Sequence, residues 1–246
     1  ACLALTLTPV PSEVDQALQS IESRGACMKL LSADVTYRKD DEFAETSDLR
    51  TGRLIFDRSS ETPSVGIQFT HRTDLIKRER RPEHSRWIFS PGWAIEFDRK
   101  RKLVSRTQTA PPEDPEDPWS LSGRFPLPLG QQRDEVLANY AAELIVAPPQ
   151  SLPRTEESKV TGIRLIPRAG RPSADQWKQV DLWYDAKTWL PIGMIATRKS
   201  GEVQQVYLRN IMTPAALESQ DSLMMQVETP EGWTEDVQKW QAPSPE

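Results

Sequence analysis

Few residues in this chain could do chemistry. The histidines are His71 and His84, and the cysteines are Cys2 and Cys27. Neither histidine stands beside a cysteine or in a ligand-spaced pair, whereas zinc sites draw several nitrogen or sulfur ligands from short spacings. No metal site is therefore expected. There is no G-x-S-x-G, no phosphate-binding P-loop and no dinucleotide fingerprint, so neither a nucleophile elbow nor a cofactor is expected. Ser122-Gly123 stands alone in what reads as a loop. The carboxylate pairs Glu113/Asp114 and Glu116/Asp117 lie in a proline-rich acidic stretch, where solvation suits them better than general acid–base work. Two cysteines make no disulfide framework; they leave either one bridge or two thiols.

The remaining polar signal is basic. Lys77–Arg81 and Arg99–Lys102 form two runs in a chain whose formal net charge is -5. They read either as a docking surface for anionic lipid or a partner, or as hairpin tips kept charged against edge pairing. The overall negative charge, and the lack of aromatics interleaved with the runs, argue against nucleic acid.

The aromatic pattern is the positive signal. Phe56, Phe69, Trp87, Phe89, Trp93 and Phe97 recur at alternating positions on successive predicted strands. The strand at 49–58 puts Gly52, Leu54, Phe56 and Arg58 on one face; the next carries Val65, Ile67 and Phe69. Trp87 and Phe89 follow, and after the Pro91-Gly92 turn come Trp93, Ile95 and Phe97. Two amphipathic helices are expected to cover about ten such strands. Ser12 caps the first, which carries Val14, Ala17, Leu18 and Ile21 on one stripe and stops at Gly25. The second carries Val136, Leu137 and Tyr140. So little helix over so much sheet implies a sandwich or a hollow, and an apolar hollow is a ligand site. Leu54, Phe56, Arg58, Ile67, Phe69, Trp87, Phe89, Trp93 and Ile95 are its expected lining.

The elements that position this lining end in a meander over 176–211. Its first strand places Val180, Leu182 and Tyr184 on one face and Trp177 and Trp183 on the other. Its second starts at Pro191, and Ser200-Gly201 supplies a two-residue turn. On its third, Val206 and Leu208 are read as facing opposite ways. Leu223–Val227 is expected to be a last strand, and Glu231-Gly-Trp233 the start of a tail that runs into Gln241–Glu246. Ala110–Pro118 is read as a stiff exposed loop. The 246 residues, 37% hydrophobic and with 21 Pro against 11 Gly, fit one large domain or two small ones rich in rigid loops. We expect one domain over 10–240, with 241–246 frayed. Residues 1–9 read either as the remnant of a secretory leader or as a short strand; without an initiator Met, a trimmed precursor is expected. Ala1-Cys2 matches the end of a bacterial lipobox without the residues that complete it.

The order of these motifs resembles the LolA-like lipoprotein-sorting family. Gly52–Arg58, Pro91-Gly92-Trp93 through Phe97-Asp98, Pro126–Gly130, Leu190-Pro191, Ser200-Gly201 and Val206–Ile211 carry the resemblance, spread over most of 12–240. It implies an α+β fold: an unclosed antiparallel β-barrel, or half-barrel, covered by a few helices around an apolar cavity. It implies a non-enzymatic, monomeric carrier of lipid or lipoprotein acyl chains, exported to the periplasm or envelope of a Gram-negative-type bacterium. An envelope sensor or scaffold that binds a protein partner through its loops is the alternative. Arg58 matches by position an arginine that matters for transfer in the family; Ser59 stands where the family has Pro.

Overall fold

The computed structural model describes residues 12–59, 62–115, 131–145, 147–150, 152 and 159–241. The expected remnant at 1–9, and residues 116–118 and 242–246, lie outside them.

Helix α1 spans Glu13–Cys27 and starts as the sequence requires. Ser12 Oγ accepts from the Asp15 N–H at 3.2 Å while the Asp15 carboxylate accepts from Ser12 N–H at 3.3 Å, a complete capping box. The Ser12 hydroxyl, which donates to the Asp15 carboxylate at 2.7 Å, and then Arg133 hold the Asp15 carboxyl below its ordinary range. Ala17, Leu18 and Ile21 form the buried stripe. Gly25 does not end the helix. It is buried inside the last turn, and the chain leaves at Met28, whose N–H donates to Gly25 O.

Two-residue periodicity builds the rest. The strands are β1 (Leu30–Asp41), β2 (Thr46–Asp57), β3 (Ser64–Asp74), β4 (Glu79–Pro82), β5 (Ser85–Ser90), β6 (Trp93–Asp98) and β7 (Leu103–Gln108). Helix α2 (Arg133–Asn139) leads into β8 (Tyr140–Ile145), then β9 (Val160–Pro167), α3 (Ser173–Gln176), β10 (Trp177–Asp185), β11 (Pro191–Arg198), β12 (Val203–Met212), α4 (Ser219–Met224) and β13 (Thr234–Gln238). All strands join one sheet of order β13-β7-β6-β5-β3-β2-β1-β12-β11-β10-β9-β8, with β4 pairing β3. Its terminal strands β13 and β8 are not paired with each other, so the sheet is the unclosed half-barrel that the resemblance implies. The pairing of β1 with β12 joins the two halves.

The sheet buries its concave face against α1 and α2 in one large cluster containing Ala17, Leu18, Leu54, Phe56, Val136 and Met194. Trp177 lies in it too, on the side of Val180, because the register slips between Trp177 and Gln179. That bulge turns Trp177 from the face which strict alternation gives it. Val206 and Leu208 also share this cluster, as a spacing of two demands.

The β11–β12 connection is longer than a two-residue turn. Arg198 N–H donates to Glu202 O across three residues, ending in Gly201 at φ 92°, a left-handed position that glycine takes without strain. At the C-terminal end the expected order of strand and tail is reversed. The apolar run at 223–227 belongs to α4 and its exit, and the polar Thr234–Gln238 is the strand, pairing β7 in parallel at the sheet edge.

Candidate functional site

Register decides which predicted residues meet. Leu54 pairs with Ile67, Phe56 with Val65, Ile67 with Trp87 and Val65 with Phe89. Directly paired residues share a face, so these and Phe69 all lie on the concave side. The tight turn at Pro91-Gly92 pairs Ser90 with Trp93 and Ile88 with Ile95. Trp93 and Ile95 therefore face the convex side, with Ile95 in a second cluster of Ile88, Phe97 and Val104. The nine expected residues split between two faces.

On the concave side, closure is uneven. Leu54, Phe56, Ile67 and Phe69 are fully buried in the cluster that α1 covers, so they form core there. Trp87 is only half-buried, and it borders a hollow of 210 Å³ lined by Tyr37, Trp87, Phe89, Ala94, Glu96 and Ser105, among others. Trp87 is the hub of an aromatic group. Its ring centroid lies 5.0 Å from Phe69, 6.0 Å from Tyr37 and 6.4 Å from Phe89, each edge-to-face, the arrangement that ring quadrupoles favour. Burial pushes the Tyr37 hydroxyl up to about 12, so it stays protonated. The Trp87 indole N–H is buried with no hydrogen-bond partner among the described residues.

Gly52 shapes this region. A Cβ there would lie 1.9 Å from Gln68 O. The register slips between Thr51 and Gly52, leaving Thr70 without a Cα partner on β2. The absent side chain allows β2 and β3 to approach at this bulge.

Beyond the bulge the face becomes cationic. Arg50 sits over Trp87 at 5.0 Å and over Phe69 at 5.6 Å. It stands directly opposite Arg72 on β3, and Arg72 directly opposite Arg81 on β4. All three line a mouth of 630 Å³ with the tip of the β6–β7 hairpin, Arg99–Arg101. The two basic runs of the sequence thus meet. Arg72 is held in a two-pronged pair with Asp48 (2.7 and 2.5 Å), which keeps its guanidinium above its ordinary value. Nothing in the residue types predicted this meeting of β2, β3, β4 and the β6–β7 tip; Arg50 and Tyr37 were missed because β1 and the start of β2 alternate only weakly.

Arg58 lies at the opposite end of β2. It shares the face of Leu54 and Phe56, stacks over Phe56 at 5.7 Å and donates from Nη1 to the Gly25 carbonyl of α1 at 3.2 Å. Trp93 and Ile95 border a convex groove of 520 Å³ with Met225 and Val227, and Ile95 also borders the 210 Å³ hollow. There α4 and the chain after it strap the sheet: Asp221 of α4, 2% exposed, accepts twice from Arg53 (2.8 and 2.9 Å), and a Cβ on Gly66 would lie 2.5 Å from Met225 Sδ. Cys27 is a free, exposed thiol; Cys2 lies outside the described residues. Among the described residues no group of three His, Cys, Asp or Glu could hold a metal ion, and no helix is long and apolar enough to cross a membrane.

No protein-family model and no curated protein matches this sequence. Solved structures do. An uncharacterized conserved protein from Thermus thermophilus is 10% identical with a TM-score of 0.50, covering 92% of this chain and 100% of that one. A LolA superfamily protein from Nitrosomonas europaea is 11% identical with a TM-score of 0.36, over 85% of this chain and 97% of the other. MucB with MucA from Pseudomonas aeruginosa gives 11% identity and a TM-score of 0.43, over 88% of this chain and 62% of the matched one. At such identities the likeness concerns fold alone.

Proposed function

We propose that this chain is a non-enzymatic binding protein of the bacterial envelope that holds the apolar chain of a lipid-type ligand on its concave face. The observation that carries the reading is the half-buried Trp87 with Tyr37 and Phe89 around an open hollow, beside a core that α1 otherwise closes. Each methylene that leaves water contributes about 0.8 kcal/mol, so a modest length of chain suffices for binding. The hollow of 210 Å³ is below the usual 300–1,000 Å³ of ligand pockets, and the adjoining mouth of 630 Å³ is within it. The ligand therefore sits partly in each, with one apolar chain inside. The resemblance of the sequence to lipoprotein-sorting proteins supports export and a periplasmic setting. Trp87 and Phe89 are the proposed contacts; Leu54, Phe56, Ile67 and Phe69 support them from behind, and Arg58 holds α1.

Native mass spectrometry of the protein purified from a bacterial envelope is expected to show lipid-mass adducts, and the purified protein to take up a fluorescent fatty acid. Absence of both would overturn the proposal. The rival, a scaffold that binds a protein through Ala110–Pro118, predicts that deleting this loop abolishes partner binding; the present reading predicts that lipid uptake survives the deletion.

A further inference from the structure

We infer that the arginine row at the mouth is a headgroup site, so that the ligand is an anionic amphiphile: one acyl chain in the aromatic hollow and a phosphate or carboxylate at Arg50, Arg72 and Arg81. This rests on the function proposed above and narrows its substrate class.

The row is the unusual feature. Arg50, Arg72 and Arg81 stand in direct register across β2, β3 and β4. Like charges directly opposite one another destabilise a sheet, so the row is unfavourable unless anions offset it. The protein supplies only part of that offset. Arg72 has Asp48. Arg50 is 3.6 Å from Glu83 Oε2, an oxygen with no hydrogen bond, while Glu83 Oε1 accepts from Ser85 Oγ. Among the described residues Arg81 has no carboxylate partner, and neither do Arg99 and Lys100 on the facing hairpin tip. Six cationic side chains line the mouth against the three carboxylates Glu83, Glu96 and Asp98, in a chain of net charge -5. Charge is thus concentrated where the rest of the molecule would repel an anion.

The mouth and the hollow adjoin. Glu96 lines both, and Arg50 lines the mouth while covering the Trp87 ring that borders the hollow. A ligand with its chain against Trp87 and Phe89 has its polar end at Arg50. Guanidinium groups bind phosphate and carboxylate through paired N–H donors.

The test compares three ligands with one acyl chain, each below its micelle-forming concentration: lysophosphatidic acid, palmitate and neutral monopalmitoylglycerol. Inorganic phosphate is the chain-free control. The two anionic amphiphiles are expected to bind at least tenfold tighter than monopalmitoylglycerol at low salt, with the advantage shrinking as salt rises. Phosphate alone is expected to bind at least a hundredfold more weakly than lysophosphatidic acid. In the exposed double variant Arg81→Ala/Lys100→Ala, the advantage falls below threefold while monopalmitoylglycerol binding and the thermal midpoint hold, because the change relieves repulsion. Equal binding of charged and neutral amphiphiles, or an advantage that survives the double variant, overturns the headgroup site and leaves the acyl-binding function standing. Phosphate binding as tight as the lysolipid overturns the amphiphile assignment, and failure of all three lipids overturns both.

Discussion

Replacing Trp87 by Phe should separate the packing role of this side chain from its role toward a ligand. In the free protein the indole N–H makes no hydrogen bond although it is buried. An orphaned buried donor costs about 1–3 kcal/mol, and Phe removes it. Phe also leaves about 40 Å³ unfilled, which at about 24 cal/mol per Å³ costs about 1 kcal/mol. The edge-to-face contacts to Phe69, Tyr37 and Phe89 can be kept by the smaller ring. The two effects oppose, so Trp87→Phe should stay within about 1 kcal/mol of the parent in urea unfolding. Trp87→Ala, which deletes three ring contacts and the Arg50 stack, should cost about 2–4 kcal/mol, less than full burial would give because Trp87 is only partly buried. With lysophosphatidic acid the same order is expected: Phe keeps an aromatic wall at the hollow and affinity should fall less than about threefold, whereas Ala removes that wall and affinity should fall about tenfold, roughly two methylenes' worth of contact. Trp177 and Trp183 also carry indole N–H groups without a partner among the described residues, but neither lines the hollow beside Trp87, and Trp183→Phe should leave affinity unchanged. A loss above 2 kcal/mol in Trp87→Phe, or equal ligand affinity in all three proteins, would refute this reasoning.

Three further outcomes are expected. Asp221→Ala removes both bonds to Arg53; the pair is buried on the Asp221 side, with Arg53 26% exposed, so the cost should be about 2–3 kcal/mol, short of the 3–5 of a fully buried pair. Hydrogen exchange should then quicken in α4, with lipid uptake on the other face unchanged. Arg58→Leu should cost about 1–2 kcal/mol and quicken exchange at Gly25–Met28, since the lost bond to Gly25 O ties α1 to β2; a shift in headgroup preference would contradict its place at the far end of β2. Burial raises the Glu202 carboxyl, but hydrogen bonds from Lys39 and Gln204 and the charge of Lys39 and Arg198 outweigh it, leaving it below its ordinary range. A depressed carboxyl stabilises fully above its unfolded value, about pH 4.3, and progressively less as pH falls through its folded value. Glu202→Gln should therefore flatten acid unfolding below about pH 4.3, and an unchanged acid limb would contradict the assignment.

How far the sequence reaches depends on what each feature rests on. Local chemistry was legible: the Ser12 cap, the stripe of Ala17, Leu18 and Ile21, and the single face shared by Leu54, Phe56 and Arg58 are set by neighbours three or four residues away at most. Register was not. The Pro91-Gly92 turn was visible, but whether it pairs Ser90 with Trp93 decides which way Trp93 and Ile95 face, and alternation is silent on that. One bulge put Trp177 on the side opposite to its pattern, and another put Thr70 out of pairing. Strand β13 has no buried residue, so it carries no apolar signal, while Leu223–Val227 carries one that helix and strand share. The arginine row is a property of register: Arg81 lies in the basic run Lys77–Arg81, but its alignment with Arg72 and Arg50 across three strands is set by pairing that the run does not reveal.

The most direct test of concave-face binding is paramagnetic relaxation by a nitroxide-labelled fatty acid, read on the tryptophan indole N–H resonances. The account predicts that the Trp87 signal broadens at substoichiometric ligand while Trp183 and Trp93, on the other face of the sheet, stay sharp. Absence of uptake, or broadening of Trp93 with Trp87 unaffected, would contradict it.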